Sequence, residues 1–456
     1  MRILLARPAP TDETIGLQHV MIVEPLELEV LAALAGPDDD VAIADLIIER
    51  KPLRHFLKQH RPDVFGMTGY ITNVPAMVAA CKLAKQLDPR TTTVVGGVHC
   101  EVCPEHLDDP AIDYRVVRNA TSVFGPLLDH IKGRAELPAG VLRPGERVDD
   151  VKLPAFDFSF PRPRRELTAR YREKYFYIFH DQVALLKTAF GCPFRCNFCF
   201  CRAITAGKYH ERPLDDVLAE LASIKEREIY VVDDDFLIST ERLDAFLDGL
   251  RLARLDKSFL IYGRADFIAE HPDLLERFKA QGLRTVIVGF ESFYQDELLG
   301  FRKKADVAAS EEAMRVCNRL GIDVFATIVL SPTWGREQFK FHRHKFRELG
   351  IQYVNLQPLT PLPGTGLEVP QKDLLLAPGD FERWDLAHIA VRPTQLTVAE
   401  YYEEIIKLYL ATLYRPKYLL SYLKYPRPLL AKMIAGTWSV RRQYMQKLGE
   451  ARRRFG

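Results

Sequence analysis

The sequence predicts an α/β protein in three parts: a doubly wound parallel sheet, a partial (β/α)6 barrel and a helical C-terminal extension. Three observations lead there. Short apolar runs alternate with amphipathic segments from Met1 to about Ile131, the alternation resumes with stronger runs from Val183 to Pro358, and a stretch dense in Pro, Gly and charge separates them. Strands alternating with helices form parallel sheets whose ligands lie at the strand C-terminal ends. A chain of 456 residues with 47% hydrophobic content can fill two cores and an appendage. The expected divisions are 1–133, 134–178, 179–370 and 371–456.

In the first division, Arg2 to Ala6, Val41 to Ile47, Val64 to Met67 and Thr93 to Val95 read as strands, and Pro75 to Leu87 is the clearest helix. The opening run breaks at Arg7 and Pro8, too early for a signal peptide. No apolar stretch approaches the roughly 18 residues that span a bilayer. A cytoplasmic protein is expected, so its eight cysteines meet reducing conditions, where clustered thiols serve metals better than disulfides. The segment from Gly133 to about Arg170, with Pro138, Pro144, Pro154, Pro161 and Pro163, is expected to wrap as a linker.

Six βα units follow. Their expected strands are Val183 to Ala189, Ile229 to Asp233, Phe259 to Gly263, Thr285 to Phe290, Val324 to Leu330 and Tyr353 to Pro358. Such barrels gather their chemistry at the strand C-terminal ends. The last division is helical through Val398 to Leu413 and then basic, with Tyr414, Tyr418, Tyr422, Tyr425, Trp438 and Tyr444 interleaved. The whole chain carries a net charge of only +2, which gives no sign of nucleic-acid binding.

Three thiols, Cys192, Cys196 and Cys199, fall within eight residues on the loop after the first barrel strand. Cysteine thiolates hold iron-sulfur clusters, and a fully ligated cluster takes four. Three leave one iron open, the feature that separates a catalytic metal centre from a closed structural one. A structural zinc site needs a second ligand pair, and none lies near. Cys201 is read as a bystander, and Cys100 with Cys103 forms a lone CxxC read as ordinary thiols. Beside the loop, three carboxylates, Asp233, Asp234 and Asp235, end the second barrel strand, where aspartate also caps helices. In the first division, Gly96 and Gly97 could let a flat macrocycle or a nucleotide tail lie on the backbone.

CxxxCxxC on the first loop of a βα barrel resembles the radical S-adenosylmethionine (SAM) superfamily. The resemblance implies a 4Fe-4S cluster whose open iron chelates SAM and cleaves it to a 5'-deoxyadenosyl radical. Over residues 1 to about 370 it is to the cobalamin-binding branch, which contains an anaerobic porphyrin-ring cyclase and many C-methylases. By it, Phe198, Asp233, Asp234, Asp235, Arg264, Gly289, Glu291 and Ser292 would contact SAM, and Thr68, Gly69, Tyr70, Gly96, Gly97 and His99 would contact cobalamin. His99 could instead cap a turn. Leu359-Thr360-Pro361-Leu362-Pro363-Gly364-Thr365, after the sixth strand, is similar to the branch's "PxPGT" turn and would shape the pocket mouth.

Two departures stand out. Asp45 to Glu49 lacks the histidine by which other cobalamin domains ligate cobalt, and Val117 to Thr121 replaces the branch's "R-G-E-G-E" turn. The expected function is cobalamin-dependent C-methylation of an unactivated carbon. Radical oxidative cyclisation or rearrangement, a cobalamin-free radical SAM enzyme and a non-catalytic iron-sulfur or cobalamin-binding protein are the alternatives. No general base can be named. Expected partners are a small-molecule, lipid or hydrophobic ring substrate, an electron donor of flavodoxin or ferredoxin type, and, through the basic tail, the surface of a membrane.

Overall fold

Strands buried on both faces need near-continuous apolar runs. Ile3, Leu4, Leu5 and Ala6 meet that demand, none more than 1% exposed. The computed structural model describes residues 1–16, 20–413 and 427–455. Its N-terminal region runs β1 (Arg2–Arg7), β2 (Met21–Ile22), α1 (Leu26–Ala32), β3 (Asp40–Asp45), α2 (Leu53–His60), β4 (Val64–Thr68), α3 (Val74–Leu87), β5 (Thr92–Gly96), α4 (Val98–Val102), β6 (Tyr114–Val116), α5 (Ala120–Ile131) and β7 (Val141–Leu142). Six of these strands form one sheet in the order β3-β1-β4-β5-β6-β7, parallel except at the last pair. The chain winds outward from β1 to β3 and then returns to β4 on the other side. The topological switch point, where open α/β sheets bind ligands, therefore lies between the C-terminal ends of β1 and β4.

The Pro-rich segment does more than wrap. Val141 and Leu142 pair antiparallel with Val116 and Arg115 and close the sheet edge. Two apolar residues between Gly140 and Pro144 are too few to show a strand period. Further on, Phe156, Phe158 and Phe160 lie across the start of the barrel: Phe158 stacks on His210 and both Phe158 and Phe160 meet Phe190.

The second region runs β8 (Phe176–Tyr177), β9 (His180–Asp181), β10 (Ala184–Leu186), β11 (Ala189–Phe190), α6 (Cys201–Thr205), β12 (His210–Glu211), α7 (Leu214–Ser223), β13 (Glu228–Val231), α8 (Thr240–Leu252), β14 (Ser258–Gly263), α9 (Ala265–Glu270), α10 (Pro272–Ala280), β15 (Leu283–Glu291), α11 (Gln295–Gly300), α12 (Val307–Leu320), β16 (Asp323–Leu330), α13 (Arg336–Glu348) and β17 (Tyr353–Pro358). The six strands β10-β13-β14-β15-β16-β17 are parallel and in sequence order, the topology of a partial barrel. The first strand is shorter than the apolar run Val183 to Ala189 suggests. After Leu186 the backbone turns aside so that Thr188 N–H reaches Asp233, and Ala189–Phe190 pairs instead with β12.

The barrel interior is filled by side chains. Leu185, Tyr230, Leu260 and Ile287 pack there with Tyr177 from the β8–β9 hairpin, and Leu26 and Val30 of α1 join the same cluster. One helix thus serves both regions, because Leu28 and Ala32 on its other face pack on the N-terminal sheet. Beyond the barrel, α14 (Val398–Leu413) and α15 (Arg427–Phe455) add Tyr401, Ile405, Leu408, Tyr444 and Leu448 to the barrel's outer core. Of the tail aromatics, Tyr444 is buried beside Tyr402 and Tyr409 while Trp438 is exposed. Tyr414, Tyr418, Tyr422 and Tyr425 lie outside the described residues. Among the described residues, no helix is long and apolar enough to cross a membrane.

Candidate active site

The loop bearing Cys192, Cys196 and Cys199 is closed at its base by the β11–β12 ribbon. Gly191 opens it at φ +75°, and a Cβ there would run into Lys208 O; only glycine fits such a turn. The loop is pinned at its centre, where Asn197 N–H and Nδ2 donate to Phe301 O (3.2 Å) and Gly300 O (3.0 Å). Phe198 meets the Phe301 ring edge to face at 5.5 Å. All three thiols are free and half-buried. Burial pushes Cys192 up to about 12 and raises Cys196, whereas a hydrogen bond from Cys201 lowers Cys199.

The three aspartates divide their tasks. Asp233 accepts from Thr188 N–H at 2.7 Å and from Thr188 Oγ1, tying the end of β13 to the root of the loop. Asp234 accepts from Cys201 Sγ at 3.2 Å. Asp235 accepts from Leu237 N–H at 3.1 Å through one oxygen, and its buried Oδ2 has no hydrogen-bond partner among the described residues. Burial pushes the Asp235 carboxyl up to about 8, against the pull of Arg264. Arg264 lies over the Phe194 ring at 3.7 Å and is ion-paired with Asp266. The two contacts attach the cluster loop to the end of β14.

At the end of β15 the register with β16 shifts between Gly289 and Glu291, and Glu291 takes φ +62°. A non-glycine residue held there is strained, and such strain gathers at functional sites. Lys303, unmarked in the sequence, holds the turn: its ammonium donates to Gly289 O and, at 2.8 Å, to Glu291 Oε1. Ser292 is fully buried, accepting from Tyr294 N–H and donating to Glu297. Gly364, at φ +78°, seats against Val102 of α4, and Gly366 lies by Asn197. The 359–366 loop therefore bridges the N-terminal region to the cysteine loop.

On the N-terminal rim, Gly97 (φ +93°) packs so closely on Thr68 and Gly69 that a Cβ would run into Thr68 Oγ1. His99 is buried, its Nε2 3.0 Å from His106 Nδ1, and burial lowers it to about 4. Asp45 pairs with Arg7 at 2.5 Å and accepts from Ile47 N–H and Tyr175 Oη at 3.2 Å each. The segment 117–121 holds the Pro-rich strap. Asn119, at φ +53°, donates to Ala155 O at 2.7 Å, and Arg118 lies over the Phe156 ring at 4.8 Å. The missing glycines and glutamates of that turn are thus replaced by a strap anchor. Tyr70 keeps 60% of its surface.

These rims fit the groups they would hold. Iron needs thiolates, and three thiols on one pinned loop, Cys199 already drawn toward the thiolate, supply three ligands and leave one position open. A macrocycle needs a strand-end surface built of backbone, and Gly69 and Gly97 let the loops after β4 and β5 close tightly on the chain around them so that such a surface forms there.

Comparison with known proteins agrees with this geometry. The B12 binding domain model matches residues 15–128 and the radical SAM superfamily model residues 186–346. The hopanoid C-3 methylase of Methylococcus capsulatus is 28% identical over 421 residues, covering 89% of this chain and 79% of that protein. The anaerobic magnesium-protoporphyrin IX monomethyl ester cyclase of Rubrivivax gelatinosus is 23% identical over 399 residues, covering 82% and 70%. The radical SAM methyltransferase TsrM of Kitasatospora setae, solved with cobalamin and a [4Fe-4S] cluster, shares the fold at a TM-score of 0.67 with 18% identity, covering 99% of each chain. With a B12-binding region, a radical SAM barrel and relatives that combine the two, the chain belongs to the cobalamin-binding-domain radical SAM enzymes, whose cofactors are a 4Fe-4S cluster, SAM and cobalamin.

Proposed function

We propose that this enzyme methylates an unactivated carbon of a hydrophobic ring or lipid-like substrate. The observation that carries the reading is the apposition of two rims. Gly364 in the barrel's last loop seats against Val102 of α4, and α4 also packs against α6, just after the cysteine loop. When bound, the cluster and SAM supply a hydrogen-abstracting radical and cobalamin a transferable methyl group. On this reading residues 1–133 carry cobalamin at Thr68, Gly69, Tyr70, Gly96 and Gly97, and 179–370 carry the cluster on Cys192, Cys196 and Cys199. Asp235 offers SAM an unpaired oxygen. Phe198, Asp234, Arg264, Gly289 and Glu291 surround the cysteine loop, and the strap of 134–178 shields it from water. The hopanoid methylase relative supports a polycyclic lipid substrate.

Anaerobic reconstitution followed by mass spectrometry tests the reading: a product 14 mass units heavier is expected. The cyclase relative supports a second reading, oxidative cyclisation, for which loss of hydrogens or gain of oxygen is the mark. An electron donor of flavodoxin or ferredoxin type completes either scheme. We also propose contact with an anionic membrane surface through α15, where Ile434, Trp438 and Met445 are exposed on one face with Arg441 and Arg442 beside them. Trp438→Glu should lower co-sedimentation with anionic vesicles, and unchanged binding removes the idea.

A further inference from the structure

The outer side of the cysteine loop carries cations that nothing in the chain neutralises. Two segments lie side by side there. Asn197 donates to Gly300 O and Phe301 O, Phe198 meets the Phe301 ring, and Arg264, which lies over Phe194, donates to Lys304 O. The loop from Cys192 to Asn197 and the turn from Leu299 to Lys304, between α11 and α12, therefore share one surface. Both alternate in exposure. Cys192, Phe194 and Cys196 are drawn in while Pro193 and Arg195 are exposed, and Phe301 and Lys303 are buried while Arg302 and Lys304 are exposed. Phe194 is held under Arg264 and Lys303 is bonded to Glu291. Arg195, Arg302 and Lys304 accordingly project the other way, off the back of the site.

These three cations are open as well as exposed. None has a hydrogen-bonded or ion-paired side-chain partner among the described residues, whereas exposed arginines on the barrel's helices are paired: Arg251 with Asp248, Arg277 with Asp244, and Arg315 with Glu311 and Glu312. Of the acids nearest in sequence, Asp306 caps α12 through Ala309 N–H at 2.6 Å, Glu297 is held by Ser292 and Trp334, and Asp296 lies a turn back in α11. Positive charge is left in excess. Leu299 stands beside it with 64% of its surface free. An exposed apolar residue with a charged rim is the anatomy of a small, transient protein interface, the kind that redox partners form.

We propose that Arg195, Leu299, Arg302 and Lys304 form the docking surface for a small acidic one-electron carrier of the flavodoxin or ferredoxin type. Electrons tunnel over short distances only, so a carrier must dock where the cluster comes nearest the surface. The back of the loop that holds Cys192 and Cys196 is such a place. Each encounter passes one electron: the reduced carrier is oxidised by one electron and the cluster is reduced by one, with no bond made or broken and no proton moved. Opposite charge speeds and orients such encounters, and salt weakens them. The inference rests on the proposed cluster site and assigns the place at which its electron donor meets it.

Titration of the full chain carrying its cluster with oxidised flavodoxin, followed by flavin fluorescence, reads docking without turnover. Arg302→Glu with Lys304→Glu should raise Kd at least about tenfold at about 50 mM salt, and Arg195→Gln about threefold. Wild-type Kd should rise several-fold between about 50 and about 300 mM salt, and the double variant should lose most of that dependence. Arg251→Glu with Arg254→Glu, where α8 leads back to the start of β14 at the opposite end of the barrel, changes net charge equally and should bind as wild type does. Dithionite needs no docking surface, so SAM cleavage driven by it should stay within about twofold of wild type in every variant. If the double glutamate variant fails to hold its cluster, Arg302→Gln with Lys304→Gln should still raise Kd about threefold. Wild type that takes up no iron overturns the cluster reading and this inference with it. Wild type that holds iron but binds neither flavodoxin nor ferredoxin overturns the docking surface alone. So does a double variant that keeps wild-type affinity for the carrier, including one that loses only binding to anionic vesicles, and so does a control that weakens equally.

Discussion

Two rims face each other across the molecule, and they differ in how their polar side chains are held. On the barrel rim nearly every charge has a partner within the chain: Asp233 with Thr188, Asp234 with Cys201, Arg264 with Asp266 and Glu291 with Lys303. On the N-terminal rim the strand-end pair of Arg7 and Asp45 is closed, but Tyr70, just after β4, keeps 60% of its surface. A rim that positions a radical source gains from being fixed in advance, because misplacement by an ångström is costly in rate. A rim that receives a large preformed cofactor can leave donors and acceptors for that cofactor to satisfy.

The largest expected effect separates the two rims outright. Cys192→Ala should lose the cluster, seen as loss of iron and of visible absorbance, and SAM cleavage should fall to background. Methylcobalamin binding should stay at the wild-type value, because the N-terminal rim is built on its own sheet. Loss of both together would mean that the rims assemble as one unit.

Next in size is the contrast between a buried pair and an open group. Lys303 and Glu291 are each less than a tenth exposed, so Lys303→Met leaves an uncompensated carboxylate and should cost about 3 kcal/mol, read as a lower melting midpoint and weaker SAM binding. Tyr70→Phe removes a hydroxyl with no hydrogen-bond partner among the described residues and should cost under about 0.5 kcal/mol of stability without cofactor. Equal costs would erase the difference between the rims.

Asp235 gives the barrel rim a pH signature. Its folded-state value of about 8 lies above the unfolded one, so the stability it contributes is full at low pH and is lost as pH rises through about 8. Between the two values the folded chain holds a proton that the unfolded chain has released, and stability falls by at most about 1.4 kcal/mol per pH unit. Asp235→Asn, neutral at every pH, should flatten that slope in chemical unfolding of the cofactor-free protein. An unchanged slope would mean that Asp235 is ionised in place.

The fold was legible because its signals are repetitive. The apolar runs around Ile3, Val64 and Val324 and the amphipathic run from Pro75 to Leu87 each carry a period that outlasts local noise. β7 was not legible, since two residues carry no period, and neither was the early turn at Thr188, which depends on an aspartate 45 positions away. The cysteine loop could be read because metal ligation fixes spacing. Lys303 and Phe194 could not, because they act through tertiary placement: Phe194 matters only where Arg264 lies over its ring, and Lys303 only where a bulge brings it under Glu291. Asp233 to Asp235 were legible as a group, but only the structure assigns one to the strand, one to Cys201 and one to an unpaired position.

Cys201 is the finest discriminator, since it is a fourth thiol two residues beyond the third ligand on a rim whose groups are otherwise paired. Its Sγ donates to Asp234 at 3.2 Å, and a hydrogen bond to Cys199 draws that thiol toward the thiolate. On the proposed assignment Cys201 uses its one S–H to support a ligand or an aspartate and leaves the fourth iron position to SAM. Cys201→Ser keeps the one donor that either partner can accept and should retain full iron content, SAM binding and stability to within about 0.5 kcal/mol; Cys201→Ala should cost about 1 kcal/mol, one hydrogen bond, again with iron unchanged. If either variant lost iron in the way expected of Cys199→Ser, Cys201 would be a ligand and the cluster would have no position left for SAM. The barrel rim would then be closed to the substrate that its other paired groups are arranged to receive.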